Sequence, residues 1–268
     1  MEKNYMHPML NIAIRAVRKG GNLLIQKYDL QKNISILDKK KNDYFINNTI
    51  NIVQNKMIEI ILKSYPDHFI VSQYKINKTF IKKKNIWIIN PIDGIDNFKK
   101  NLPYFSTSIA IKIKNNTVIS VIYDPFKNEL FTAIKGKGAQ LNGYRIRCSE
   151  IHNFSISSVA INDKIHMNKK LSLLYLKIIN LLILQKVKFR CTGSPTLDLA
   201  YIANGRFDCL LHCNFTPCFF LAGKLQLKES GALICDINGG SNYLESGVAL
   251  IGNYKFLRII QKKIQDFL

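Results

Sequence analysis

Trp87-Ile88-Ile89-Asn90-Pro91-Ile92-Asp93-Gly94-Ile95-Asp96-Asn97-Phe98 runs from apolar to polar within twelve residues and carries the strongest structural signal in the chain. Ile86–Ile89 is a short apolar run that ends at a turn, which reads as a buried strand. An Asp two residues past a proline and directly before a Gly is a good turn former. Toward the N-terminus, Met9–Tyr28 has helical periodicity, with Leu10, Ile14 and Val17 on one face, and Asn48–Tyr65 gives a second helix ending before Pro66. Lys82–Lys84 is a basic run expected in a solvated loop. Toward the C-terminus, Thr107–Ile113 and Thr117–Tyr123 flank a polar turn at Lys114–Asn116. Glu129–Ile134 reads as a strand, and Gly136, Gly138 and Gly143 mark turns.

The second half alternates. Leu171–Leu184 is an amphipathic helix, Val187–Arg190 a strand, and Ser194 with Pro195 opens a helix that Gly205 closes. Asp208–Leu211 and Leu233–Asp236 read as strands, Phe220–Ser230 and Tyr254–Phe267 as helices. Helix pairs and sheets in alternation imply layers of α and β, an α+β architecture. The 268 residues suffice for one large domain, 1–268, with halves near 1–150 and 151–268. No apolar run is long enough to span a membrane, and no secretory leader pattern opens the chain, so the expectation is a soluble, cytoplasmic protein.

The formal charge of +21 has two readings. One is attraction to RNA, DNA or an acidic partner. The other is codon bias, because the basic residues are mostly Lys and both Ile and Asn are abundant. Six cysteines lie in the second half without a disulfide framework. Cys209, His212, Cys213 and Cys218 are the one group with a zinc flavour. They lack a Cys-x-x-Cys pair, and strand alternation would divide them between two faces.

The motif of Trp87–Phe98 resembles W-x-I-D-P-[LI]-D-G-T-x-N-F of the inositol monophosphatase family. Lys135–Ala139 with Asn142-Gly143, Arg190 with Thr192-Gly193-Ser194, and Leu221-Ala222-Gly223 through Gly231 resemble its later segments in order. The opening Met6–Ala13, with Lys63–Pro66, Tyr123–Pro125, Asn128–Ala133 and Leu197–Tyr201, is similar to a bacterial branch whose members also serve as Nus factors in ribosomal RNA transcription. The resemblance implies a layered αβαβα sandwich and Mg²⁺-dependent hydrolysis of phosphate monoesters. For the bacterial branch it implies antitermination and RNA folding with NusA, RNA polymerase and the ribosomal RNA leader as partners, and homodimers.

Mg²⁺ prefers oxygen ligands, commonly carboxylates, in near-octahedral geometry. The family's ligand and catalytic positions carry other residues here. Gln73 and Tyr74 stand where it has a Glu pair, Asn90 where it has the first motif Asp, Ile95 where a Thr orients water, and Cys218-Phe219 where it has Trp-Asp. Ile50 aligns near a further metal Asp and His212 with a substrate-contacting Glu, while Lys75 replaces a small polar residue. No catalytic position is intact. Asp93 and the Ile92 carbonyl persist as a metal remnant, too little for a site of family strength. Asp93, Gly94, Ile95, Asp96 and Arg190 mark the vestigial phosphate side, with Ile95 a substitution and Asp96 a new carboxylate in the loop. The expectation is a Nus factor with a dead phosphatase site. The alternatives are a Mg²⁺-dependent inositol-1-phosphate phosphatase with an altered site, and a relic. Intact apolar periodicity around the lost site favours the first over the relic.

Overall fold

Apolar side chains alternate along the strands, and that alternation sorts them into three cores. The computed structural model describes residues 6–34, 37–72, 84–162, 169–213 and 217–267. Two long helices open the chain, α1 (Met6–Gln31) and α2 (Lys39–Ser64). Seven strands and one short helix follow: β1 (Phe69–Ser72), β2 (Asn85–Asp93), α3 (Ile95–Lys99), β3 (Ser106–Ile113), β4 (Asn116–Asp124), β5 (Glu129–Ile134), β6 (Gly138–Leu141) and β7 (Tyr144–Ile146). They form one sheet in sequence order, antiparallel except for the β1–β2 pair. The second half contributes β8 (Ser158–Ile161), α4 (Lys169–Leu184), β9 (Lys188–Cys191), α5 (Pro195–Ala203) and β10 (Cys209–Cys213). It continues through α6 (Pro217–Ser230), β11 (Leu233–Cys235), α7 (Tyr243–Ser246), β12 (Val248–Gly252) and α8 (Tyr254–Phe267). Its sheet has the order β11-β12-β10-β8-β9.

Successive side chains of a strand face opposite ways. Trp87 and Ile89 of β2 therefore pack with Ala13, Val17, Val53 and Met57 of α1 and α2. Ile86 and Ile88 face the other way, toward Leu199 and Ile202 of α5, Leu225 of α6 and Leu210 of the second sheet. Cys209 and Leu211, alternate to Leu210, meet Tyr175 and Leu182 of α4 and Phe256 and Ile260 of α8. The layers are thus helix pair, sheet, helix pair, sheet, helix pair. The expected αβαβα sandwich is the observed one.

Local chemistry explains where expectation and structure differ. Helix α2 begins at Lys39, nine residues before the periodic segment, because Asp38 accepts a bond from the Lys41 N–H and caps it. Helix α6 begins at Pro217, a residue suited to a first helical position. The β3–β4 turn narrows to Lys114 and Asn115, both at positive φ, the two-residue geometry that matches the strand twist. Strands β1, β6, β7, β8 and β12 lie where no strand was expected. No helix among the described residues is long and apolar enough to cross a membrane.

Trp87, the single tryptophan, is fully buried and donates its indole N–H to His68 Nδ1 at 2.9 Å. Burial holds the His68 pKa below its ordinary value, against the opposing pull of Asp67. The fold thus favours neutral imidazole, whose stabilisation is complete above the unfolded pKa of about 6.5 and is lost as pH falls below it. Unfolding followed by Trp87 fluorescence should show the wild type losing stability between pH 7 and 5 relative to His68→Gln, which keeps an acceptor but does not titrate. Parallel profiles would remove His68 from the account.

Candidate functional site

Strand β2 leaves regular pairing where the motif's polar residues begin. Asn90 pairs with Ser108 and Asp93 with Ser106, so one extra residue is bulged at Pro91-Ile92. Proline cannot donate to a ladder, and a bulge re-aims the side chains that follow. Gly94 then turns the chain into α3 at φ 85°, where a Cβ would lie 2.8 Å from the Tyr104 carbonyl oxygen. Only glycine satisfies both constraints.

The buried Asp93 carboxylate does not merely make a local turn. Its Oδ2 accepts the Ser194 hydroxyl at 2.7 Å and the Thr196 backbone N–H at 2.8 Å. Ser194 holds the N-cap position of α5 as expected, but its hydroxyl makes no bond into its own helix and donates to Asp93 instead. The carboxylate of Asp93 thereby caps α5 from another part of the chain. An anion is favoured there by the free N–H groups and the helix dipole.

Asn97 makes the second tie. Its buried amide donates to the Tyr104 carbonyl and to the Thr192 carbonyl, each at 2.7 Å. Gly193 lies against it at φ 77°, where a Cβ would approach Asn97 Oδ1 to 2.9 Å. Tyr104 and Thr192 both donate to Asp198 Oδ1, at 2.9 and 2.6 Å. Burial, reinforced by Asp198, raises the Tyr104 pKa far above its ordinary value, so its hydroxyl stays a donor. The motif loop and the Thr192–Thr196 loop are one hydrogen-bonded unit.

Asn90 behaves differently. Its side chain is buried, and neither amide atom finds a partner among the described residues. Ser106 Oγ, opposite Asp93, and Thr196 Oγ1 are also buried and unbonded there. The sequence reading singled out neither Ser106 nor Thr196, because a hydroxyl beside an apolar strand or a helix start carries no periodic signal.

The remaining candidates scatter. Ile95 opens α3 and packs partly on the first core, and Asp96 is exposed. The Ile92 side chain lies in that core, as does Ile50 of α2. Arg190 is exposed on β9 and donates to the carbonyl of its neighbour Phe189. Phe219 lies in the first turn of α6. Gln73, Tyr74 and Lys75 lie outside the described residues. His212 is buried on β10, facing away from Cys209 and Cys213. Burial pushes the Cys213 thiol up to about 12 and Cys209 higher still, which disfavours the thiolate a zinc ion needs.

The model of the family described as "Inositol monophosphatase family" matches residues 5–266. A protein of Buchnera aphidicola subsp. Baizongia pistaciae named "Nus factor SuhB" is 50% identical over 261 residues, covering 97% of each chain. The Escherichia coli strain K12 protein of the same name is 39% identical over 261 residues, again covering 97% of each. Among solved structures, the Thermotoga maritima IMPase has a TM-score of 0.80 at 26% identity, covering 97% of this chain and 98% of that one. The Bartonella henselae extragenic suppressor protein suhB has a TM-score of 0.84 at 23% identity, covering 97% and 100%, a likeness of fold.

Two asparagines seven residues apart should respond with opposite sign. Asn97→Leu leaves two carbonyls without their donor and should cost about 2 kcal/mol, whereas Asn90→Leu removes an unpaired buried amide and should be neutral or stabilising by about 1 kcal/mol. Urea unfolding of both variants measures this. Equal losses would show that Asn90 has a bonding partner as important as those of Asn97.

Proposed function

This chain belongs to the inositol monophosphatase family, and we propose that it works as a Nus factor, by binding rather than by hydrolysis. Relatives of that name, at 39–50% identity over nearly the whole chain, support the Nus-factor half. Its partners are NusA, RNA polymerase and the ribosomal RNA leader in the cytoplasm. Through them it supports antitermination and RNA folding. A homodimer is the assembly that the family resemblance suggests.

The observation behind the second half is the chemistry of the residues that stand at the family's ligand positions. Mg²⁺ needs several oxygen ligands, and a phosphatase needs carboxylates among them to offset the ion's charge. Asn90 offers a neutral amide, Phe219 no ligand atom, and Ile95 no hydroxyl to orient water. Asp93 Oδ2 already accepts two hydrogen bonds, and Asp96 is exposed. These residues do not fit the family's metal, and the site binds it weakly or not at all. Asp93, Gly94, Ile95, Asp96 and Arg190 are vestiges of the phosphate side. The rival reading, a phosphatase with an altered site, draws on likeness of fold, and a fold does not by itself supply an activity.

The test joins an assay to a pull-down. Inositol-1-phosphate hydrolysis with Mg²⁺ should stay near background, because losing even one contributor to transition-state charge stabilisation can cost about a hundredfold. From extract, the chain should retain NusA or RNA polymerase at roughly twice physiological ionic strength, where most exposed-charge attraction is screened. Turnover near that of an active phosphatase would overturn the dead-site half. Recovery of bulk nucleic acid alone, washing off steeply with salt, would overturn the partner half.

A further inference from the structure

The first sheet runs from β1 to β7 in sequence order, so its connections alternate between two ends. One end carries Asp93 and the motif loop. The other gathers the start of β2, the β3–β4 turn, the β5–β6 turn and the end of β7. Backbone bonds fix the gathering: the Lys114 N–H donates to the Lys84 carbonyl at 3.0 Å, and the Lys135 N–H to the Val118 carbonyl at 2.9 Å. All four places bear cations. Lys84 precedes β2, Lys114 lies in the β3–β4 turn, Lys135 and Lys137 in the β5–β6 turn, and Arg147 follows β7, all exposed. Neighbouring strands lie about 4.8 Å apart, so the row from β2 to β7 extends roughly 24 Å.

Opposing charge is scarce along it. Glu229 of α6 reaches the β5–β6 turn, but its two carboxylate oxygens accept the backbone N–H groups of Gly136 and Gly138, at 2.8 and 2.9 Å. Asp67 precedes β1 and Glu150 follows β7, on the two flanks. Lys84, Lys135, Lys137 and Arg145 enter no ion pair among the described residues. Asn115, Asn116 and Gly136, which stand between the cations, are exposed and offer no apolar side chain. The edge strand β7 adds Tyr144, 80% exposed, and next to it Arg145, whose guanidinium lies by the Gly138 backbone. Codon bias scatters lysines over a whole surface. It gives no reason for an unbalanced row on four connections that share one end, with two arginines and an exposed ring beside it. Like charges held together repel, so such a row costs stability unless a polyanion meets it.

We propose that this end of the sheet binds single-stranded RNA, with its lysines and arginines on the phosphates and Tyr144 stacked on a base. A single strand is held by a positive track for its backbone and a free ring for its bases, and both are present. A specific protein interface has an apolar centre, which the row lacks. Attachment to a bilayer pairs basic residues with apolar ones that insert, and none stands between these cations. The inference deepens the Nus-factor reading by naming a surface that meets RNA. It rests on that reading for the choice of RNA, and on the side chains for the place.

The experiment titrates the full chain into a fluorescent single-stranded RNA of about 12 nucleotides without self-complementarity, at rising salt. Affinity should fall steeply, with a log–log slope of roughly −3 for four or five phosphate contacts. The double variant Lys135→Ala/Lys137→Ala should flatten that slope by about 1.4 and bind about tenfold or more weakly at low salt. Tyr144→Ala should bind about tenfold more weakly with the slope unchanged, the signature of lost stacking. Lys39→Ala/Lys40→Ala, which removes two exposed lysines of α2, should change neither. Trp87 fluorescence checks that each variant is folded, and if the double variant unfolds, Lys137→Ala replaces it with half the change in slope. The proposal is overturned if the Lys39/Lys40 variant loses as much as the row variant, or if the wild type binds no RNA. It is equally overturned if poly-glutamate or vesicles containing phosphatidylglycerol bind the row as tightly as RNA does. Retention of NusA by a chain whose RNA binding ignores these substitutions overturns this surface alone. RNA binding through the row without retention of NusA or RNA polymerase supports the surface and counts against the Nus-factor reading alone.

Discussion

The carboxylate of Asp93 fastens the motif loop to the start of α5 from far along the chain. Ser194 and Thr196, which it accepts from, lie 101 and 103 residues further along the chain. The Thr192 carbonyl held by Asn97 lies 95 residues away. A buried carboxylate is tolerated only when hydrogen bonds compensate its lost hydration. Here the compensation is the start of a helix, which itself requires a partner for its free N–H groups. Each side resolves the other's deficit. The bulge at Pro91-Ile92 and the tight turn at Gly94 serve to aim that one side chain.

That arrangement gives a physical reason for a carboxylate to stand at residue 93 in a chain whose neighbouring positions carry Asn90, Ile95 and Phe219. On the proposed reading, the chemistry has gone and the fastening has stayed. Removing Asp93 would leave a helix N-terminus uncapped and a hydroxyl without its acceptor inside the protein. Asn90, which differs from the family pattern, has no such structural duty. Asn90 makes no side-chain bond among the described residues, although the Asn90 carbonyl accepts the Thr107 hydroxyl at 3.0 Å.

The layered architecture was legible because periodicity reports burial. The expected bounds Glu129–Ile134 and Tyr254–Phe267 are those observed for β5 and α8. Strand β12, five buried residues reading Val-Ala-Leu-Ile-Gly, escaped because a short apolar run has no period to separate strand from core helix. The first turns of α2 escaped because Lys39, Lys40 and Lys41 carry no apolar signal, and their evidence was the cap at Asp38. Within the site, the motif identified Asp93 and Gly94, and Asn97 stood in it without an assigned role. What Asp93 and Asn97 tie together could not be read, since Ser194, Thr196 and Thr192 lie about a hundred residues away and local pattern is blind to them. Helix α4 is a further case. Leu171–Leu184 read correctly as a helix, yet only the packing distinguishes its covered leucines from its uncovered ones.

On the proposed reading, Asp93 holds structure and not metal. The most direct measurement is the urea unfolding midpoint of the wild type and of Asp93→Asn, each with and without millimolar Mg²⁺. A ligand that binds the native state raises its stability by mass action. The account predicts that Mg²⁺ leaves the wild-type midpoint unmoved and that Asp93→Asn lowers it by the same amount in both buffers. A midpoint that rises with Mg²⁺ in the wild type, and no longer does so in Asp93→Asn, would contradict it.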